Sequence, residues 1–184
     1  MSELVIAITM GDAAGVGAEI IDKALSKKEI YDLCKPLVVG DLSVLKDALK
    51  VAKVRLKFNS VEKVSEAKFQ HGTVDVIDLK NIEIERLVMG RPQAMAGKAS
   101  VEYVKKTVEL AMKSEVHAIA TAPLNKEATN MAGYDYAGHT EILAHLTNTK
   151  DYAMMLVAGS LRVVHVTTHV SMKEACFLIR KRRV

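Results

Sequence analysis

Three stretches of this 184-residue sequence place polar or glycine-rich residues where a strand should end. The first is Thr9-Met10-Gly11-Asp12-Ala13-Ala14-Gly15-Val16-Gly17. Its glycines permit positive φ and close backbone approach, and the helix that follows would offer free amides to an anion. The pattern is neither a GxGxxG fingerprint nor a phosphate loop ending in Gly-Lys-Ser/Thr. Spacing alone therefore leaves two readings, an anion-accepting loop or a tight strand-to-helix turn. The second stretch is Thr121-Ala122-Pro123-Leu124-Asn125-Lys126, followed by Gly138-His139-Thr140-Glu141. Thr140 is placed to cap a short helix carrying Ile142, Leu143 and Leu146, which leaves His139 beside that helix's amides. An imidazole there could hold a carboxylate or phosphate oxygen. The alternative is a capped surface helix with an incidental histidine, and no HExxH zinc motif surrounds His139.

The third stretch is His165-Val166-Thr167-Thr168-His169. In an extended chain His165, Thr167 and His169 share one face, with the two histidine backbones about 13 Å apart. They are poor ligands for one ion. His169, at the strand's end and before a capped helix, is the better metal ligand, and His165 reads as a packed strand histidine. One histidine does not make a catalytic metal site, which needs about three protein ligands. His71, His117 and His145 carry no assigned role, and Cys176 falls on an apolar helical stripe that reads as core.

The elements that would position these residues alternate between strand and helix. Leu4 to Ile8 and Pro36 to Gly40 read as strands buried on both faces, and Asp41 is placed to cap a helix running to about Ala52. Val54 to Phe58 and Val74 to Asp78 read as further strands. The clearest helix spans Gly97 to Ser114, with Val101, Val104, Val108 and Met112 on one stripe. Val116 to Thr121 follows as a strand. This alternation predicts an α/β fold with a largely parallel sheet and helices on both faces. Later, Ala153 to Ala158 and Leu161 to Thr168 flank Gly159-Ser160, which fits a type II′ hairpin. Ser171-x-x-Glu174 has capping-box spacing and opens a helix predicted to run on to Val184.

Composition narrows the function classes. Hydrophobic residues make up 49% and charged residues 26%, the balance of a folded protein, and no apolar run reaches membrane-helix length. The net charge of +4 is carried by Arg180-Lys181-Arg182-Arg183. Without a distributed basic face, and with only 4% aromatics, nucleic-acid binding is disfavoured. Two cysteines and no secretory signal point to a reducing cytoplasm.

Taken together, Ile8-Thr9-Met10-Gly11-Asp12, Thr121 to Lys126, Gly138-His139-Thr140-Glu141 and Thr167-Thr168-His169-Val170 resemble the 4-hydroxythreonine-4-phosphate dehydrogenase family. Relatives in that family oxidise 4-phospho-D-threonate or 4-phospho-D-erythronate. The resemblance implies an isocitrate-dehydrogenase-like two-domain fold, C-terminally incomplete here, with residues 1–125 in the first domain and 126–184 beginning the second. It implies NAD, a divalent metal (Zn, Mg or Co), a homodimer and a phosphorylated small-molecule substrate. His139 and Thr140 match the family's substrate-binding pair, and His169 matches the first of three metal-binding histidines. The implied reaction is oxidation of a secondary hydroxyl followed by decarboxylation, and Ala13 and Ala18 lean toward the threonate branch. Because the other metal and substrate ligands have no counterpart here, a catalytically silent fragment or phosphate-binding remnant is the alternative.

Overall fold

The computed structural model describes residues 4–167, 170–182 and 184. They form two compact units, Met1–Thr147 and Asn148–Val184. The first unit is built on a five-stranded, wholly parallel sheet: β1 (Val5–Thr9), β2 (Lys35–Gly40), β3 (Lys57–Val61), β4 (Thr73–Asp78) and β5 (Ala118–Thr121), in the order β3-β4-β2-β1-β5. Residues 36–40 of β2 and 74–77 of β4 are buried without interruption, as in strands covered on both faces. The predicted α/β class and parallel sheet are what the chain adopts.

Helices α1 (Gly17–Leu25), α2 (Lys28–Leu33), α3 (Leu42–Ala52), α4 (Ala94–Met112), α5 (Lys126–Met131) and α6 (His139–Leu146) connect and flank the sheet. Asp41 caps α3 as expected, its carboxylate accepting from the Ser43 and Val44 amides. α4 begins three residues earlier than the Gly97 start predicted. Glycine is a poor helix former, yet Gly97 lies inside the helix because α5 crosses there. A Cβ at this position would lie 1.9 Å from the Ala128 carbonyl oxygen. The third strand is also displaced, to Lys57–Val61 rather than Val54 to Phe58. Lys53 ends α3 in a left-handed conformation (φ 55°), and pairing with β4 begins only at Lys57.

The core joins β1, β2 and β4 to α1, α3 and α4, with Leu37, Val38, Leu45, Val76 and Tyr103 among its fully buried residues. A smaller cluster seats Ile142 of α6 against Val101, Val104 and Val108 of α4. Both α5 and α6, which follow residue 125, therefore pack on α4.

In the second unit, β6 (Met155–Ala158) and β7 (Leu161–Val164) form the predicted antiparallel hairpin. Gly159 has φ 59° while Ser160 does not take a positive φ, the pattern of a type II′ turn. The strands are shorter than predicted, and His165 lies just past β7 rather than within it. Helix α7 (Met172–Leu178) opens on the predicted capping box, Ser171 bonded reciprocally with Glu174. It closes at Leu178 instead of running into the basic stretch. None of its residues is buried, so no packing carries it further. For the same reason Cys176 is exposed, not core. Among the described residues no helix is long and apolar enough to cross a membrane.

Candidate functional site

The loop after β1 is closed by protein. A Cβ at Gly11 (φ 75°) would lie 2.4 Å from the Pro123 carbonyl oxygen, and one at Gly17 would lie 2.1 Å from that of Met10. The Asp12 amide donates to the Pro123 carbonyl at 2.9 Å. Gly11 therefore lets the loops after β1 and β5 touch, Gly17 lets the start of α1 close against Met10, and the turn reading accounts for both. Asp12 is nearly buried, and its carboxylate accepts from the Ala14 amide at 3.0 Å. Burial raises its pKa above the usual carboxylate value, against the lowering effect of that bond. This carboxylate is occupied in shaping the turn.

His139 and Thr140 stand together in the first turn of α6. The cap position belongs to Gly138 and not, as predicted, to Thr140, so the helix starts two residues earlier and has no side-chain cap. Gly138 has no side chain with which to satisfy the first-turn amides. His139 is half-buried, and burial lowers its pKa below 6.5, so at neutral pH the imidazole is uncharged and offers one donor and one acceptor nitrogen. Glu141 occupies the same turn and adds negative charge there. The approach to this turn is braced by aromatic contacts. Tyr134 and Tyr136 are stacked with centroids 6.3 Å apart, Tyr136 meets His145 edge-on at 5.8 Å, and Lys105 lies 4.8 Å above the Tyr134 ring. These braces were not legible in the sequence, where His145 carried no role.

The predicted metal ligand His169 lies outside the described residues. Its neighbours Thr167 and Val170 line an open hollow of about 780 Å³ in the second unit, with Asp151, Arg180 and Arg182; Arg182 donates to Asp151 at 2.6 Å. Among the described residues no group of three or more His, Cys, Asp or Glu side chains is arranged to hold a metal. The described donors thus do not by themselves make a metal centre. His165 is half-buried, and among the described residues its Nδ1 has no hydrogen-bond partner. His117, unassigned from sequence, has a structural part. It accepts the Val5 amide on Nδ1 at 3.1 Å and donates its own amide to the Val5 carbonyl at 2.8 Å, joining the approach to β5 to β1.

Residues 32–184 match the family described as pyridoxal phosphate biosynthetic protein PdxA. The chain belongs to that family. Within the PdxA family it is 48% identical over 180 residues to a Clostridium botulinum protein provisionally named D-threonate 4-phosphate dehydrogenase, covering 98% of this chain and 54% of that one. Its fold superposes on a 4-hydroxythreonine-4-phosphate dehydrogenase from Burkholderia phymatum with a TM-score of 0.93 at 46% identity, covering 100% of this chain and 55% of that one. The Klebsiella pneumoniae enzyme of the same name gives 0.91 at 41% identity, covering 100% and 55%. The chain spans about half the length of the relatives it matches. The resemblance carried by its four motifs is the PdxA relationship itself.

Proposed function

We propose that the whole protein oxidises the secondary hydroxyl of a 4-phosphorylated hydroxy acid with NAD, and that 4-phospho-D-threonate is the substrate of choice. A divalent metal and loss of CO₂ from the keto acid belong to the same reading, as does a homodimer. The observation that carries it is the uncharged, half-buried His139 beside Thr140 at the uncapped start of α6. That turn belongs to a chain 48% identical to a protein named for D-threonate 4-phosphate.

In this reading the His139 ring N–H, the Thr140 hydroxyl and the first-turn amides bind and orient the phosphorylated acid. The dipole of α6 and the first-turn amides favour the substrate's negative charge against the repulsion of Glu141 in the same turn. His139 stays neutral until the anion arrives, so it can serve as a donor without holding a fixed charge in the empty site. NAD, when bound, supplies the hydride acceptor. His169 would contribute one ligand to a divalent metal, which when bound would polarise the substrate hydroxyl as a Lewis acid.

The test is NADH formation by the full-length protein from 4-phospho-D-threonate and 4-phosphohydroxy-L-threonine, with Mg²⁺, Zn²⁺ or Co²⁺ supplied. Turnover of the threonate in preference to the threonine supports the reading. Absence of NADH from both overturns it.

A further inference from the structure

The stretch Thr121 to Lys126 closes β5 and opens α5, and Lys126 is its one ionisable residue. The backbone around that lysine is fixed. The Ala122 amide donates to the Thr9 carbonyl at 3.1 Å, the Pro123 carbonyl accepts from the Asp12 amide, and Asn125 caps α5 by accepting the Ala128 amide at 3.1 Å. Lys126 sits in the first turn of α5, its carbonyl accepting the Thr129 hydroxyl at 2.9 Å. The residue is exposed, and among the described residues its ammonium has no ion pair or hydrogen bond.

Its helix gives it no partner. Lys98 and Lys106 on α4 pair with Glu102 and Glu109 about one turn on, whereas the positions three and four residues beyond Lys126 hold Thr129 and Asn130. A cation in a first helical turn is also opposed by the positive end of the helix dipole, so α5 gains nothing from it. The loop that carries Lys126 is tied to α6. Leu124 packs in the cluster that seats Ile142, beside Leu143, Tyr134 and Tyr136. Lys126 follows Leu124 by two residues, and His139 precedes Ile142 by three, about 4.5 Å along the helix axis.

Residues 138–141 supply no cation of their own at neutral pH. His139 is uncharged there, Thr140 is neutral and Glu141 is negative. A phosphate ester brings roughly two negative charges, and the partial charge of a helix start does not balance them. Lys105 is engaged elsewhere, 4.8 Å from the Tyr134 ring centroid and donating to the Tyr134 hydroxyl at 3.4 Å. An unpaired ammonium on a flexible four-carbon stem is a point charge suited to phosphate. We propose that Lys126 is a substrate-binding residue, its ammonium pairing with the 4-phosphate of the acid held at the α6 turn. The inference rests on the phosphorylated-substrate reading above and adds the counter-charge which that reading leaves unassigned.

The experiment is an NMR titration of the ¹⁵N-labelled chain with 4-phospho-D-threonate and with unphosphorylated D-threonate, for wild type, Lys126→Met and Lys126→Arg. In wild type the phosphorylated acid is expected to shift the amides of His139, Thr140 and Lys126. Lys126→Met should weaken it by about tenfold or more while D-threonate changes by less than about twofold, and Lys126→Arg should stay within about threefold of wild type. Added salt should weaken the phosphorylated acid more in wild type than in Lys126→Met. A merely structural lysine would weaken both acids alike and lower the unfolding midpoint, which would overturn the inference. Lys126→Met that keeps the preference for the phosphorylated acid overturns it too, and the reading of the α6 turn then stands if wild type shifts His139 and Thr140. If the phosphorylated acid leaves those two amides unmoved in wild type, the reading itself fails.

Discussion

Replacing Asp22 with leucine should make the first unit more stable above neutral pH and remove most of its pH dependence. Asp22 sits on the α1 stripe with Ala18, Ile21 and Leu25. It is fully buried, and among the described residues neither of its carboxylate oxygens has a hydrogen-bond partner. Burial alone pushes its pKa from 3.8 up to about 7. Below the unfolded value the group is protonated in both states and the penalty is absent. Between about 4 and 7 the unfolded chain has lost the proton while the folded one keeps it, so stability falls as pH rises. Above about 7 both states are ionised and the penalty is complete, on the order of 4 kcal/mol from the gap between the two pKa values. Leucine is bulkier than aspartate, and some overpacking will offset the gain, leaving a net stabilisation of about 2 kcal/mol or more near pH 8. For a chain of this size that corresponds to a rise in Tm of about 4–8 °C. The chain has no tryptophan, so urea and thermal unfolding are followed by far-ultraviolet circular dichroism at several pH values. A wild-type stability that is flat or rising from about pH 4.5 to 8, or a leucine variant less stable than wild type near pH 8, would refute the reasoning.

Other substitutions probe the remaining joints. Gly17→Ala drives a methyl group toward the Met10 carbonyl oxygen, 2.1 Å from the ideal Cβ position. It should cost about 3 kcal/mol or more, read as a lower urea midpoint, and an unchanged midpoint would count against the close-contact account. Asp41→Ala removes the α3 cap and also the acceptor of the Ile82 amide at 3.0 Å. A loss of about 1–3 kcal/mol is expected, and Asp41→Asn should recover part of it. Ser171→Ala breaks the reciprocal bonds with Glu174 at the exposed start of α7. Amide exchange should quicken in α7 and stay unchanged in α4.

The parallel sheet was legible because β1, β2 and β4 are short apolar runs bounded by turn residues, and two-sided burial leaves that mark on a sequence. Asp41 and Ser171 were legible because a capping side chain must precede its helix at a fixed spacing. Helix α2 was not: it has six residues and none is buried, so no periodic stripe announces it. The true role of Gly11 and Gly17 was also hidden. A glycine needed by a ligand and one needed by a neighbouring carbonyl look alike until the loop after β5 is in place. The burial of Asp22 carried no signal of its own, since a lone buried aspartate on a helix looks like a solvent-facing one. Sequence placed His139 and Thr140 side by side by adjacency but missed the cap by two residues, because Gly138 caps with no side chain to signal it.

The measurement closest to the central claim is calorimetric titration of the chain with 4-phospho-D-threonate and, in parallel, with unphosphorylated D-threonate. Wild type and His139→Ala are compared near neutral pH. The phosphorylated acid is expected to bind, and the unphosphorylated one to bind at least about tenfold more weakly. His139→Ala is expected to lose most of that preference while its unfolding midpoint stays close to wild type. Equal binding of the two acids, or full retention of the preference without His139, would contradict the central claim.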